Sequence, residues 1–218
     1  MIFVPAMLQL TGIHKSFGSH HVFSFDQLRL ENGVYWLKGA NGSGKSTLIK
    51  LVAGLLPFKG EILLNEEISI RQQPVAYRLL VNHSAAEPIY PSFLTGDELA
   101  SFVCSVKNGT IQQVEEIKSL LGITSYLSNP TGSYSSGMLK KLSLLCAFIG
   151  QPSWILLDEP FTTLDHASQS ALCKLIREKT GQGISFIITS HHDIETSDIP
   201  FTKIFTLEDG QLHETIDR

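Results

Sequence analysis

Gly39-Ala40-Asn41-Gly42-Ser43-Gly44-Lys45-Ser46 fills every required position of the pattern G-x-x-x-x-G-K-[ST]. A glycine loop of this kind wraps phosphate oxygens with backbone N–H groups. The helix that should begin at its end, with Ser46 and Thr47 in the first turn, adds more N–H groups and a positive dipole end. Lys45 is then placed for the β- and γ-phosphates and Ser46 for Mg²⁺. Phosphate chemistry on magnesium also needs an acid. The apolar run Trp154-Ile155-Leu156-Leu157 ends in Asp158, a candidate metal ligand in the manner of a Walker B strand. Glu159 follows directly, where a second carboxylate could take the proton of a water attacking the γ-phosphate, and Pro160 would fix the turn.

These groups work only if strands and helices hold them at one edge. Leu8 to Ile13 and Val22 to Leu30 read as short strands, a small sheet that feeds a core strand at Gly33 to Lys38. After the glycine loop, Leu48, Ile49, Leu51, Val52, Leu55 and Leu56 follow helical spacing, with Gly54 and Pro57 marking the end. From Leu94 to Ser128 the pattern is helical, with Leu99, Phe102, Val114, Ile117, Leu120 and Leu121 as its apolar face. Strand, helix and strand return at Trp154 to Leu157, Ala167 to Lys179 and Ile184 to Thr189. This alternation predicts a parallel sheet covered on both faces. Asp209-Gly210 between Ile204 to Leu207 and Gln211 to Thr215 predicts a closing hairpin.

Composition narrows the classes further. The chain has 218 residues, 43% hydrophobic and 17% charged, enough for one globular domain spanning 1–218, with a helical subdomain at about 84–150. A net charge of −4 argues against holding nucleic acid by phosphate neutralisation. Cys104, Cys146 and Cys173 lack the spacing of a disulfide framework or a zinc site. Met1 to Leu10 reads as a first strand, not a secretory signal. The adjacent histidines, and His166 and His213, lack the spacing of a metal motif.

Tyr134-Ser135-Ser136-Gly137-Met138 precedes a helical run containing Lys141, Leu142, Leu145 and Phe148. With the two elements above, it resembles the L-S-G-G-Q signature of the ABC transporter ATPases, a resemblance that covers essentially the whole chain. Thr162-Thr163-Leu164-Asp165 is similar to their D-loop, and Thr189-Ser190-His191 to the switch segment whose His contacts the γ-phosphate. Phe17, in Lys15-Ser16-Phe17-Gly18, is similar to the aromatic that stacks on adenine.

The resemblance implies an α/β P-loop NTPase fold: a mixed-sheet core, an N-terminal antiparallel β subdomain and a helical insertion. It implies ATP and Mg²⁺ as cofactors and hydrolysis by Glu159 with Lys45 and His191. It implies a head-to-tail dimer, of this chain with itself or with a paired cassette. In that dimer Ser135, Ser136 and Gly137 serve the other subunit's nucleotide and Asp165 links the two sites. A separate transmembrane permease would be the partner, with the chain cytoplasmic and peripheral at the inner face of the membrane. A soluble ABC-type regulator acting by ATP-driven dimerisation is the alternative; a GTPase or small-molecule kinase is disfavoured by the lack of N-K-x-D.

Three departures from the family pattern carry expectations. Ser136 puts a β-carbon where the backbone would approach phosphate, a change that could slow turnover; since family variants of the form Y-S-x-G-M exist, the resemblance implies a competent site. His83, in Leu79-Leu80-Val81-Asn82-His83, stands where the family has a Gln that reaches the metal or its water, as in the haem-exporter type. Little sequence follows His191 beyond the hairpin, so no appended regulatory domain is expected.

Overall fold

In the computed structural model, which describes residues 7–190 and 199–215, the first apolar alternation becomes β1 (Leu8–Phe17), burying Leu8, Leu10 and Ile13 on one face. It pairs antiparallel with β2 (His20–Leu30), Leu8 opposite Leu30. β3 (Val34–Lys38) is buried on both faces, as its unbroken apolar run requires. α1 (Lys45–Val52) follows the glycine loop and stops earlier than its pattern predicts. Gly54 takes the left-handed conformation at φ 72°, which turns the chain out, and Leu55 is left exposed. β4 (Lys59–Leu64) and β5 (Ile68–Ser69) complete a four-stranded sheet in the order β2-β1-β4-β5.

α2 (Pro74–Leu80) leads into β6 (Val81–Ser84). The helical run beyond it is two helices, α3 (Gly96–Val106) and α4 (Ile111–Leu121), separated by a turn in which Asn108 has φ 51°. Each begins with a capping box, Thr95 with Glu98 and Thr110 with Gln113. Phe102, expected on the buried face, is 65% exposed, because α3 turns Gly96 and Ala100 inward instead. α5 (Ser136–Phe148), β7 (Trp154–Leu157), α6 (His166–Gly181), β8 (Ser185–Thr189), β9 (Lys203–Glu208) and β10 (Gln211–Thr215) follow.

The second sheet runs β10-β9-β3-β8-β7-β6, parallel except for the β9–β10 hairpin. Asp209 and Gly210 of that hairpin have φ 48° and 73°, as the Asp-Gly turn predicts. The sheet divides two apolar layers, and strand alternation sorts β7 between them. Ile155 and Leu157 pack with Leu142, Phe148, Leu172 and Ile176. Trp154 and Leu156 pack with Tyr35, Ile49, Ile187 and Leu207 on the other side. Because β3, β6, β7 and β8 are parallel, their carboxyl ends lie together, where an open α/β sheet binds its ligand.

Candidate functional site

At the end of β3 the glycine loop turns into α1. Gly44 is the residue before the helix, with φ 105°, and a β-carbon there would stand 2.9 Å from Val22 Cγ1. Neither the torsion nor the space admits another residue. Lys45 is buried, and its Nζ donates to the carbonyls of Gly39 at 2.6 Å and Ala40 at 3.1 Å. Two of its three protons hold it against the loop, and the third remains for a phosphate oxygen. Asn41, Gly42, Gly44, Lys45, Ser46 and Thr47 line a cleft of about 510 Å³. Gly39, Ala40 and Ser43 face a second hollow beside it, toward Asp209.

Asp158, at the end of β7, is fully buried. Its Oδ1 accepts from Ser46 Oγ at 3.0 Å and Thr189 Oγ1 at 2.7 Å, whereas its buried Oδ2 has no partner among the described residues. An orphaned carboxylate oxygen beside a serine hydroxyl fits a hard divalent cation, which takes few protein ligands and completes its shell with phosphate and water. Two of the three residues assigned to magnesium from sequence, Ser46 and Asp158, are thus brought together. Glu159 lines the cleft and adopts φ 46°, a left-handed conformation costing a non-glycine residue about 1–2 kcal/mol. Its N–H donates to Thr189 Oγ1 at 2.9 Å, and its carbonyl accepts from Thr162 Oγ1 at 2.7 Å.

Phe17 stands at the cleft's rim, 51% exposed, with the Lys15 ammonium 4.3 Å from its ring centroid. Lys15 is itself buried and donates to the Pro57 carbonyl at 2.7 Å, so the ring rests on a fixed cation.

None of Ser135, Ser136 or Gly137 lines this cleft. Ser135 is exposed as the N-cap of α5, where its Oγ accepts from Met138 N at 3.3 Å. Met138 Sδ takes the place that a glutamate or glutamine oxygen fills in a capping box, accepting from Ser135 N at 3.5 Å. Ser136 is exposed. The close approach falls on Gly137, where a β-carbon would lie 2.8 Å from the Thr163 carbonyl. Asp165 caps α6 through Ser168 N and pairs with Lys141 Nζ at 2.8 Å. That ammonium, then the Ser168 N–H and hydroxyl, hold its carboxyl well below the usual range. His191 lies outside the described residues.

His83, in β6 opposite Leu156, does not line the cleft. Burial pushes its imidazole down to about 4, against the pull of the Asp158 carboxylate and with help from Lys50 and Lys140, and its Nε2 has no partner among the described residues. The ring is therefore neutral near pH 7 and keeps a lone pair for a metal or its water. Its folded pKa lies below the unfolded value of 6.5, so the unfolded chain takes up the proton first. The stability carried by the neutral ring is complete above pH 6.5 and is lost as pH falls toward 4. In chelator, the urea midpoint is expected to drop across that window, and His83→Gln to remove on the order of 3 kcal/mol of the drop. Identical pH profiles for the two proteins would contradict this.

Sequence reasoning named Thr189 only as the start of the switch segment, yet its hydroxyl joins Asp158 to Glu159. It passed over Lys140, a lysine on the buried face of α5. A charged residue in helical register with Ser143, Leu144 and Ala147 was the available signal.

Comparison with known proteins agrees with this geometry. The family model described as ABC transporter matches residues 27–162. The cytochrome c biogenesis ATP-binding export protein CcmA of Legionella pneumophila is 35% identical over 166 residues, covering 74% of this chain and 80% of its own length. The uncharacterized ABC transporter ATP-binding protein YhcH of Bacillus subtilis is 29% identical over 219 residues, 96% of this chain and 69% of that protein. A solved structure of an ATP-binding subunit of an ABC transporter shares the fold with a TM-score of 0.83, over 95% of this chain and 90% of that one, at 22% identity. The chain therefore belongs to the ABC transporter family of P-loop ATP-binding cassettes, whose general chemistry is the binding and hydrolysis of ATP in the service of transport.

Proposed function

We propose that this chain binds Mg-ATP between Phe17, the glycine loop and Glu159, and closes head to tail on a second cassette, either its own copy or a paired one. That closure drives a separate membrane permease. The observation that carries the reading is the separation of the two halves of the site. The cleft holds the phosphate loop and Glu159, while Ser135 and the N-terminus of α5 stand exposed outside it. A second chain can supply those donors to the γ-phosphate of the first.

Phe17 takes the adenine face, and the loop amides with Lys45 take the phosphates. Ser46 and Asp158 would hold magnesium, which when bound neutralises charge on the phosphate oxygens, and by sequence position alone His83 is given the metal or its water. Glu159 accepts a proton from the water whose oxygen bonds the γ-phosphorus, and the bond from that phosphorus to the bridging oxygen breaks to leave ADP. By sequence order alone His191 is given the γ-phosphate contact and Asp165 the link across the dimer.

Docking of the permease between the sheet core and the helical insertion is supported by Ile89 and Phe93, 91% and 77% exposed. Among the described residues no helix is long and apolar enough to cross a membrane. We place the chain on the cytoplasmic face, held there by the permease. ATP turnover per chain should rise with protein concentration over a roughly 100-fold dilution series, as a dimeric site requires. Turnover per chain that stays constant while phosphate release continues would show a complete site in the monomer and end this reading.

A further inference from the structure

Lys140 is 1% exposed, on a face of α5 otherwise packed in the core. Its Nζ donates to three carbonyls, Ala85 at 2.9 Å, Ala86 at 3.0 Å and Asp158 at 2.9 Å. All three ammonium protons are thereby used. Burial lowers the group to about 8, opposed by Asp158, Glu159 and Glu87. Packing alone would be met by an apolar side chain of the same length, without the cost of burying a charge. An ammonium is suited to gather three acceptors from two separate segments.

The third acceptor belongs to the peptide joining Asp158 to Glu159. A peptide is planar, so a carbonyl turned toward Lys140 turns the N–H of Glu159 the other way, and that N–H donates to Thr189 Oγ1 at 2.9 Å. The plane is held from both ends. Its orientation sets the φ of Glu159, the left-handed 46° that a glutamate rarely adopts unaided. The first two acceptors begin the loop after β6, and Ala86 lines the cleft.

We propose that Lys140 is a positioning residue for Glu159: with Thr189 it clamps the Asp158–Glu159 peptide so that the carboxylate is presented to the cleft, and it ties that peptide to the signature helix and the cleft wall. The proposal rests on the reading of Glu159 as the hydrolytic base. Since Lys140 stands on the helix that begins at Ser135, displacement of the signature segment is felt directly at Glu159.

The test compares Lys140→Met with Lys107→Met. Lys107 makes a tie of similar chemistry, donating to the carbonyls of Arg78 and Val81, but at the amino end of β6, opposite Trp154 and at the other end of the strand pair from Asp158. Lys140→Met is expected to lower kcat for ATP by about 10- to 100-fold with KM within about threefold, the effect of a slightly misplaced catalytic group. Lys107→Met should lower the melting temperature and leave kcat unchanged. Amide hydrogen exchange over residues 158–163 should quicken in Lys140→Met only, a readout that needs no turnover. Equal kcat losses in the two variants, full kcat in Lys140→Met, unchanged exchange over 158–163, or loss of folding or ATP binding with turnover would each overturn the proposal. If wild type and Glu159→Gln hydrolyse ATP equally, the base assignment has failed, and the exchange result alone still decides for or against the clamp.

Discussion

Glu159→Gln is expected to slow Mg-ATP hydrolysis by about 10³-fold while leaving ATP affinity within about threefold of wild type. The amide occupies nearly the same volume and keeps an oxygen acceptor, but it cannot take a proton from water. The two hydrogen bonds that hold the residue's backbone do not involve the carboxylate. Its left-handed backbone is held by Thr189 Oγ1 at the N–H and by Thr162 Oγ1 at the carbonyl, and both bonds survive the substitution. The Ser46–Asp158 pair and the Lys45 loop also stay intact. Phosphate release and equilibrium nucleotide binding measured on the same preparation check this. Turnover within a few-fold of wild type would remove Glu159 from the base role.

Lys45→Ala should weaken Mg-ATP binding by roughly 10- to 150-fold, the loss of one charge-assisted hydrogen bond worth about 1.5–3 kcal/mol. The structure makes this larger than the deletion of an ordinary surface lysine. Lys45 is buried, and its ammonium is pre-positioned by Gly39 and Ala40 at 2.6 and 3.1 Å, so little ordering remains to be done on binding. Alanine also leaves those two carbonyls without their donor. Lys50→Ala, on the exposed face of the same helix, should leave affinity unchanged. Calorimetry on the three proteins separates a local phosphate contact from general charge. Equal affinity in Lys45→Ala and wild type would contradict the assignment.

The parts of this site legible in sequence are those whose chemistry sits in consecutive residues. Gly39 to Ser46 carries its own turn, amides, cation and metal ligand. β7 announces itself as four apolar residues ending in Asp158 and Glu159, with the strand bounds Trp154–Leu157 seen in the structure. What was not legible depends on residues distant in sequence. Lys140 reaches Asp158 across the core, and Thr189 reaches the same turn from a neighbouring strand. β4, β5 and α2 escaped notice because charged residues blur the strand alternation in Lys59 to Ser69 and a seven-residue helix is too short to show its period.

The signature segment shows the same limit. Family spacing draws attention to Ser136 for its approach to phosphate, whereas the close backbone contact within the chain, Gly137 against Thr163, comes from another segment and carries no sequence signal. Asp165, expected to act across the dimer, also has a bond to Lys141 within the chain, which fixes the turn before α6 to the signature helix.

The most direct test of the ATP-driven pairing is the solution mass of Glu159→Gln, by light scattering, with and without Mg-ATP. The nucleotide should double the mass from the 24.1 kDa of the single chain, and removing it should restore the monomer. A mass that stays at that of one chain while ATP is bound would contradict closure of two copies of this chain, because the cleft would then hold its nucleotide without the signature of a second copy.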